Sequence, residues 1–224
     1  IRKVELDELA KLIIRGGWPE NIDKEGDDIE VIPRSYIESV ITRDINERKD
    51  KKRDSNKMRM LIRSLSRNET TIAGNDTIVK DIEEFENTDD LIASRLTVAD
   101  YVSVLDDLYL TANQEAFSIN YRSSKRIGKS PKRHLVDPSL ACASLDLTVV
   151  KLLNDHETFG LLFEALVERD LRIYMDYLDG HLYHFRDNVS GDEVDSILEF
   201  RDGEYAAVEI KLSDGSVEDA KKSL

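Results

Sequence analysis

Apolar residues in the first part of the chain recur at helical spacing. Leu6, Leu9, Leu12 and Ile13 form one stripe, which Gly16-Gly17-Trp18-Pro19 interrupts. A second helix is expected to start near Pro33, with Tyr36, Ile37, Val40, Ile41 and Ile45 on one face and charge on the other. Met58, Leu61, Ile62 and Leu65 make a third stripe. Asp76 is the expected cap of a helix carrying Ile78, Val79, Ile82 and Phe85. Thr97 is the expected cap of one with Val98, Tyr101, Val102, Leu105 and Leu108 inward. The pattern then alternates through residues 116–121, crosses a basic loop and resumes at His134-Leu135-Val136, which reads as a two-stranded ribbon. Past Thr158, Phe159, Leu162, Phe163, Leu166, Val167, Tyr174, Met175 and Leu178 predict a long amphipathic helix. Strand candidates follow at 182–187, 193–200 and 204–212.

This order predicts an α+β protein in three regions: helical over 1–56, winged-helix-like over 57–150, and a small α/β unit over 151–224. Three helices followed by a ribbon with a basic loop is the pattern of a winged helix-turn-helix, and also of a helical connector with no DNA role. The first residue is not Met and residues 217–224 read as an unfinished helix, so a C-terminally truncated fragment of a longer protein is expected.

The net charge of −14 opposes nucleic-acid binding, because phosphate contacts need Lys and Arg. The basic residues are gathered, however. Residues 43–67 hold ten of them against four acidic ones. Residues 121–134 hold Arg122, Lys125, Arg126, Lys129, Lys132 and Arg133 with no acidic residue, and these six are the candidate DNA contacts. The same charges also fit a solvated helix face and a solvated loop. A single cysteine, Cys142, excludes a disulfide framework and makes a reducing cytoplasm the expected location. No signal peptide or apolar run of membrane length is visible, so no membrane partner is expected.

The chemistry sits in Asp195, Glu209 and Lys211. Along a strand, Glu209 and Lys211 share one face. A two-residue hairpin loop would set Asp195 opposite Ile210, whereas the three-residue loop Arg201-Asp202-Gly203 sets it opposite Glu209. That loop wants positive φ at its last position, which Gly203 supplies. Two facing carboxylates repel unless a cation lies between them, so Asp195 and Glu209 are the expected ligands of Mg²⁺ or Mn²⁺. Lys211 would orient a water or neutralise developing charge, and Glu164 on the preceding helix is a further candidate. Glu209 and Lys211 alone also fit an exposed strand pair. His181 and His184 lack a third ligand and read as surface strand residues, Cys142 as a core packer, and Trp18 as a helix-corner anchor.

Asp195 followed by Glu209-Ile210-Lys211 resembles the PD-(D/E)xK nuclease superfamily, which includes Holliday-junction resolvases and many restriction enzymes. More of the chain resembles bacterial and archaeal proteins with an N-terminal AAA-type P-loop ATPase and a C-terminal domain of unknown function. The matching segments are Gly16-Gly17-Trp18-Pro19-Glu20, Arg43-Asp44-Ile45, Ser130-Pro131-Lys132, Asp137-Pro138-Ser139-Leu140, Phe163-Glu164-Ala165-Leu166-Val167, Glu193-Val194-Asp195 and Val208-Glu209-Ile210-Lys211. The resemblance implies a winged helix joined to a nuclease-like fold, with the ATPase half missing. Gly128-Lys129-Ser130 mimics the end of a P-loop, but Ser123 stands where that motif needs glycine, so no ATP site is expected here. The expected function is a divalent-metal-dependent nuclease acting on DNA or RNA. The alternative is an inactive DNA-binding, regulatory or protein-interaction module of the ATPase.

Overall fold

A computed structural model describes residues 4–44, 54–86, 95–118, 130–187 and 191–212. The architecture is mixed α+β: α1 (Leu6–Arg15), α2 (Val31–Ser39), α3 (Ser55–Arg67), α4 (Asn75–Glu86) and α5 (Arg95–Asp107) precede the short strand β1 (Glu115–Ala116). Then come α6 (Pro138–Ser144), α7 (Val149–Asn154), α8 (His156–Tyr177), β2 (His181–Arg186), β3 (Glu193–Glu199) and β4 (Tyr205–Val208).

Most of the apolar stripes converge, but Leu6, Tyr36, Tyr174 and Leu178, expected on them, are exposed, and Ile14 joins the core of α1 in place of Leu6. One continuous core runs from Ala10 and Ile13 of α1 through Leu61, Leu105, Leu140 and Leu152 to Phe159 and Leu162 of α8, crossing the expected region boundaries near 56 and 150. A smaller cluster of Phe117, Val194 and Ile197, with Tyr183 and Phe185 against it, covers the sheet.

Two segments far apart in sequence lock α1 to α6. Gly16 ends α1 at φ +67°, and a Cβ there would lie 2.7 Å from Asp137 Oδ1, so only glycine fits. The Gly17 N–H donates to Asp137 Oδ2 (2.9 Å) and Trp18 Nε1 to Ser139 Oγ (2.9 Å). Asp137 also caps α6 through the Ser139 N–H and accepts from Arg169 Nη1 of α8 (2.8 Å). Trp18 is therefore the corner anchor its position suggests, with the Tyr36 ring 4.9 Å away.

The sheet order is β1-β2-β3-β4, with β1 parallel to β2 and the other pairs antiparallel. The ribbon differs from the expected pairing of 116–121 with 134–136: residues 132–136 run antiparallel to 110–114, through bridges Thr111–Leu135 and Gln114–Lys132, and also bond to Thr70 and Thr71, while Glu115 and Ala116 pair with β2 instead. This ribbon is tied to the C-terminal sheet by β1 and by the Phe117 N–H donating to the His184 carbonyl (2.7 Å).

Three further expectations are corrected. The Gly74 carbonyl accepts from Thr77 and Ile78, so α4 starts at Asn75 and Asp76 lies in its first turn, complementing the helix dipole. α5 starts at Arg95, which puts Thr97 inside the helix. β4 ends at Val208 rather than 212, because the Ile210 N–H turns to the Asp195 carboxylate (2.7 Å) and leaves the ladder. Among the described residues, no helix is long and apolar enough to cross a membrane. Ile45, the Phe85 side chain and residues 119–129 lie outside the described residues.

Candidate functional site

The β3–β4 hairpin fixes the site. Gly203 adopts φ +88°, its N–H donates to the Phe200 carbonyl (3.0 Å), and the Phe200 N–H donates to the Glu204 carbonyl (2.8 Å). This is the three-residue turn that the glycine calls for. The ladder pairs Glu199 with Tyr205 and Ser196 with Val208, so the next step sets Asp195 against Glu209. Lys211 Nζ closes the group, 3.3 Å from Asp195 Oδ2 and 2.5 Å from Glu209 Oε1. Burial would lower the Lys211 pKa, but the two carboxylates raise it above its ordinary value, so the ammonium form is held.

Asp195 is not a rim residue: it is 7% exposed. It is buried because β3 lies inside the sheet and its carboxylate caps the backbone where β4 leaves the ladder. Glu209 Oε2 is buried without a hydrogen-bond partner among the described residues. Such an orphaned oxygen is costly unless something binds it.

Glu164, itself partly exposed, joins this group from α8 through a second, largely buried network. Lys132 Nζ forms a short ion pair with Glu164, lies 3.0 Å from Glu168 Oε1, and donates to the Asp195 carbonyl (3.2 Å). Ser196 Oγ donates to Glu168 Oε1 (2.8 Å). His134 sits between Glu168 Oε2 (3.1 Å) and Glu69 Oε1 (3.3 Å), and Glu69 also receives the Leu135 N–H (3.1 Å).

Burial pushes Glu164 up to about 7, with Glu168 and Asp195 adding to the rise and Lys132 opposing it. Burial would also raise Glu168, but His134 and Lys132 overcome it and bring that carboxyl down to about 2. Burial lowers the basicity of His134 and Lys132, yet the facing carboxylates win and both are raised. Two adjacent glutamates are therefore split by their surroundings: Glu168 is ionised and Glu164 is poised near neutrality.

Lys132 and Arg133 also depart from their expected placement. Both were expected on an exposed basic loop, and both are buried. Strand alternation sends Lys132 and His134 inward to α8, and Arg133 the other way, where Nε donates to the Ala73 carbonyl (2.8 Å) and Nη2 to Asn75 Oδ1 (2.8 Å). The other candidates, Arg122, Lys125, Arg126 and Lys129, lie outside the described residues. His181 is exposed, whereas His184, also expected at the surface, is buried where β1 covers β2. Cys142 is core-buried, and burial raises its thiol pKa, so it packs rather than reacts.

Sequence reasoning missed Glu69, His134 and Glu168. One signal for Glu168 was available: it follows Glu164 by four residues, on the same helix face.

The donors present fit a hard divalent cation in kind: two facing carboxylates, one with an orphaned oxygen. Among the described residues, no group of three or more His, Cys, Asp or Glu is arranged to hold a metal. Two carboxylates with water completing the shell is nonetheless an ordinary way to bind Mg²⁺.

Residues 6–151 match the family model described as Domain of unknown function (DUF8612). Residues 159–224 match the one described as Domain of unknown function (DUF4143), a domain found at the C-termini of AAA-type ATPases. No curated protein and no solved structure matches the chain. The internal network spans both regions, with Glu69, Lys132 and His134 in the first and Glu164, Glu168 and Ser196 in the second.

Proposed function

The chain belongs to the family described as Domain of unknown function (DUF8612), and we propose that it carries a divalent-metal-dependent, nuclease-like site in the C-terminal portion of an AAA-type ATPase. The observation that carries this reading is Lys211 Nζ bonded to both Asp195 and Glu209, one step beyond the last ladder pair, Ser196 with Val208. Asp195 and Glu209 would hold Mg²⁺ or Mn²⁺, which supplies Lewis acidity and an activated water. Lys211, kept charged by its neighbours, neutralises the charge that develops on an attacked phosphate. Glu164, poised near neutral pH beside Asp195, exchanges a proton with the water or the leaving oxygen. The order α3, α4, α5 and ribbon supports a winged-helix reading of the first region, and DNA is its proposed partner. Lys132 and Arg133 take no part in that contact, being internal.

A second reading, a non-catalytic regulatory module, is favoured by one observation: ammonium groups already neutralise the carboxylates, with Lys211 between Asp195 and Glu209 and Lys132 on Glu164. The deciding experiment is cleavage of labelled duplex and single-stranded DNA and RNA in Mg²⁺ or Mn²⁺, with EDTA as control. The first reading expects cleavage that Asp195→Asn and Lys211→Met each abolish. No cleavage of any substrate with either metal supports the second, and cleavage that persists undiminished in both variants assigns it to a different site or a contaminating nuclease and overturns the first.

A further inference from the structure

We propose that a groove in the helical region binds a soluble anionic amphiphile, a single carboxylate or phosphate on an aliphatic body. The groove lies between α2, α3 and α6 and encloses about 460 Å³, the size of a small-molecule site. Its floor is aliphatic: Ile37 and Ile41, then Ile62 and Ile82. None of the described residues that line it is aromatic, and its aliphatic walls match an alkyl chain.

The rim is cationic. Arg59, Arg63 and Arg67 recur every fourth residue on α3 and so share one face, and Arg34 approaches from α2. A guanidinium fork grips carboxylate and phosphate through paired donors. The chain's own carboxylates show how an anion sits there. Glu38 takes both Nη atoms of Arg59, Asp146 lies 2.9 Å from Arg34, and Asp81 lies 3.8 Å from Arg67. The three arginine side chains are 38–51% exposed; the single contacts of Arg34 with Asp146 and of Arg67 with Asp81 are weak, whereas the bidentate Arg59–Glu38 pair is the strongest of the set and Arg34 also holds Glu30 at 3.0 Å. A ligand anion can therefore replace Asp146 or Asp81 at small cost and competes with Glu38 for Arg59.

The backbone supplies an independent observation. Directly after α2 the backbone widens into a π-helical turn over Val40–Asp44, a rare geometry found disproportionately at functional sites. That turn carries Ile41 to the groove floor, and its carbonyl is held by Ser55 Oγ at 3.2 Å.

The test is calorimetric titration with decyl phosphate below its micelle concentration. Saturable binding is expected, about tenfold or more weaker in Arg59→Ala/Arg67→Ala, since two charge-assisted bonds are lost. Decanol should bind more weakly than decyl phosphate, and Glu38→Gln should bind decyl phosphate more tightly because it releases Arg59. The substituted side chains are about half exposed, and unchanged melting curves would certify the fold. Absent saturation, or equal affinity in wild type and the double variant, overturns the proposal. So does capture by anionic phospholipid vesicles without binding of soluble decyl phosphate, which would point to a bilayer surface.

Discussion

Replacing Glu164 with glutamine removes one ionisation and almost no volume, so it reads the electrostatic cost of the site directly. In the folded protein this carboxyl titrates at about 7 rather than the ordinary 4.5, chiefly because α8 buries it. At about 1.4 kcal/mol per pH unit, ionising it in place costs about 3 kcal/mol. The sign follows from linkage. The unfolded chain loses the proton first, so wild-type stability from this group falls as pH rises from 4.5 and levels off above about 7. Glu164→Gln should therefore differ little from wild type at pH 4.5 and be about 3 kcal/mol more stable at pH 8. In a chain of this size that raises Tm by about 6–12 °C. Lys132 keeps Glu168 as a partner in the variant, 3.0 Å away, so no buried charge is stranded. Urea denaturation at both pH values measures the difference. A variant less stable than wild type at pH 8, or an equal gain at both pH values, would refute the reasoning.

Lys132→Met strands Glu168 beside Glu164 without their shared cation and should cost about 3–5 kcal/mol by urea denaturation; an unchanged midpoint would mean the network contributes nothing. Gly16→Ala forces a Cβ into Asp137 at φ +67° and should cost about 1–3 kcal/mol, measured the same way, with an intact Tm as the contrary result. The stabilisation His134 gains from Glu168 and Glu69 is complete below its ordinary pKa and is lost as pH rises through its raised folded value. His134→Gln should therefore flatten the alkaline side of the stability profile, and an unchanged slope there would oppose it.

The parts of the site legible in the sequence are those that rest on local rules. Gly203 as the last residue of a three-residue turn dictates positive φ, the turn dictates register, and the register sets Asp195 against Glu209. Capping residues were less readable. Asp76 is a sound cap by chemistry, but the Gly74 carbonyl starts the helix earlier. Lys132 and Arg133 misled because six basic residues in a short stretch look like a solvated loop. Their burial depends on residues 69–71, 110–114 and α8 closing around them, and contacts over such separations leave no periodic trace. The same holds for His134 and Glu69, which are 65 positions apart in number yet share an ion pair. The Gly16–Asp137 clamp joins two short motifs visible in the sequence, whose contact only the folded chain reveals.

The central claim is that Asp195 and Glu209 form a cation site with Lys211 beside it. Anomalous difference density from crystals of this chain soaked in Mn²⁺ tests it most directly. A peak is expected between the two carboxylates, adjoining the orphaned Glu209 Oε2, with the Lys211 ammonium withdrawn from between them. Crystals saturated with Mn²⁺ that show no peak there, and Lys211 still bonded to both carboxylates, would contradict it.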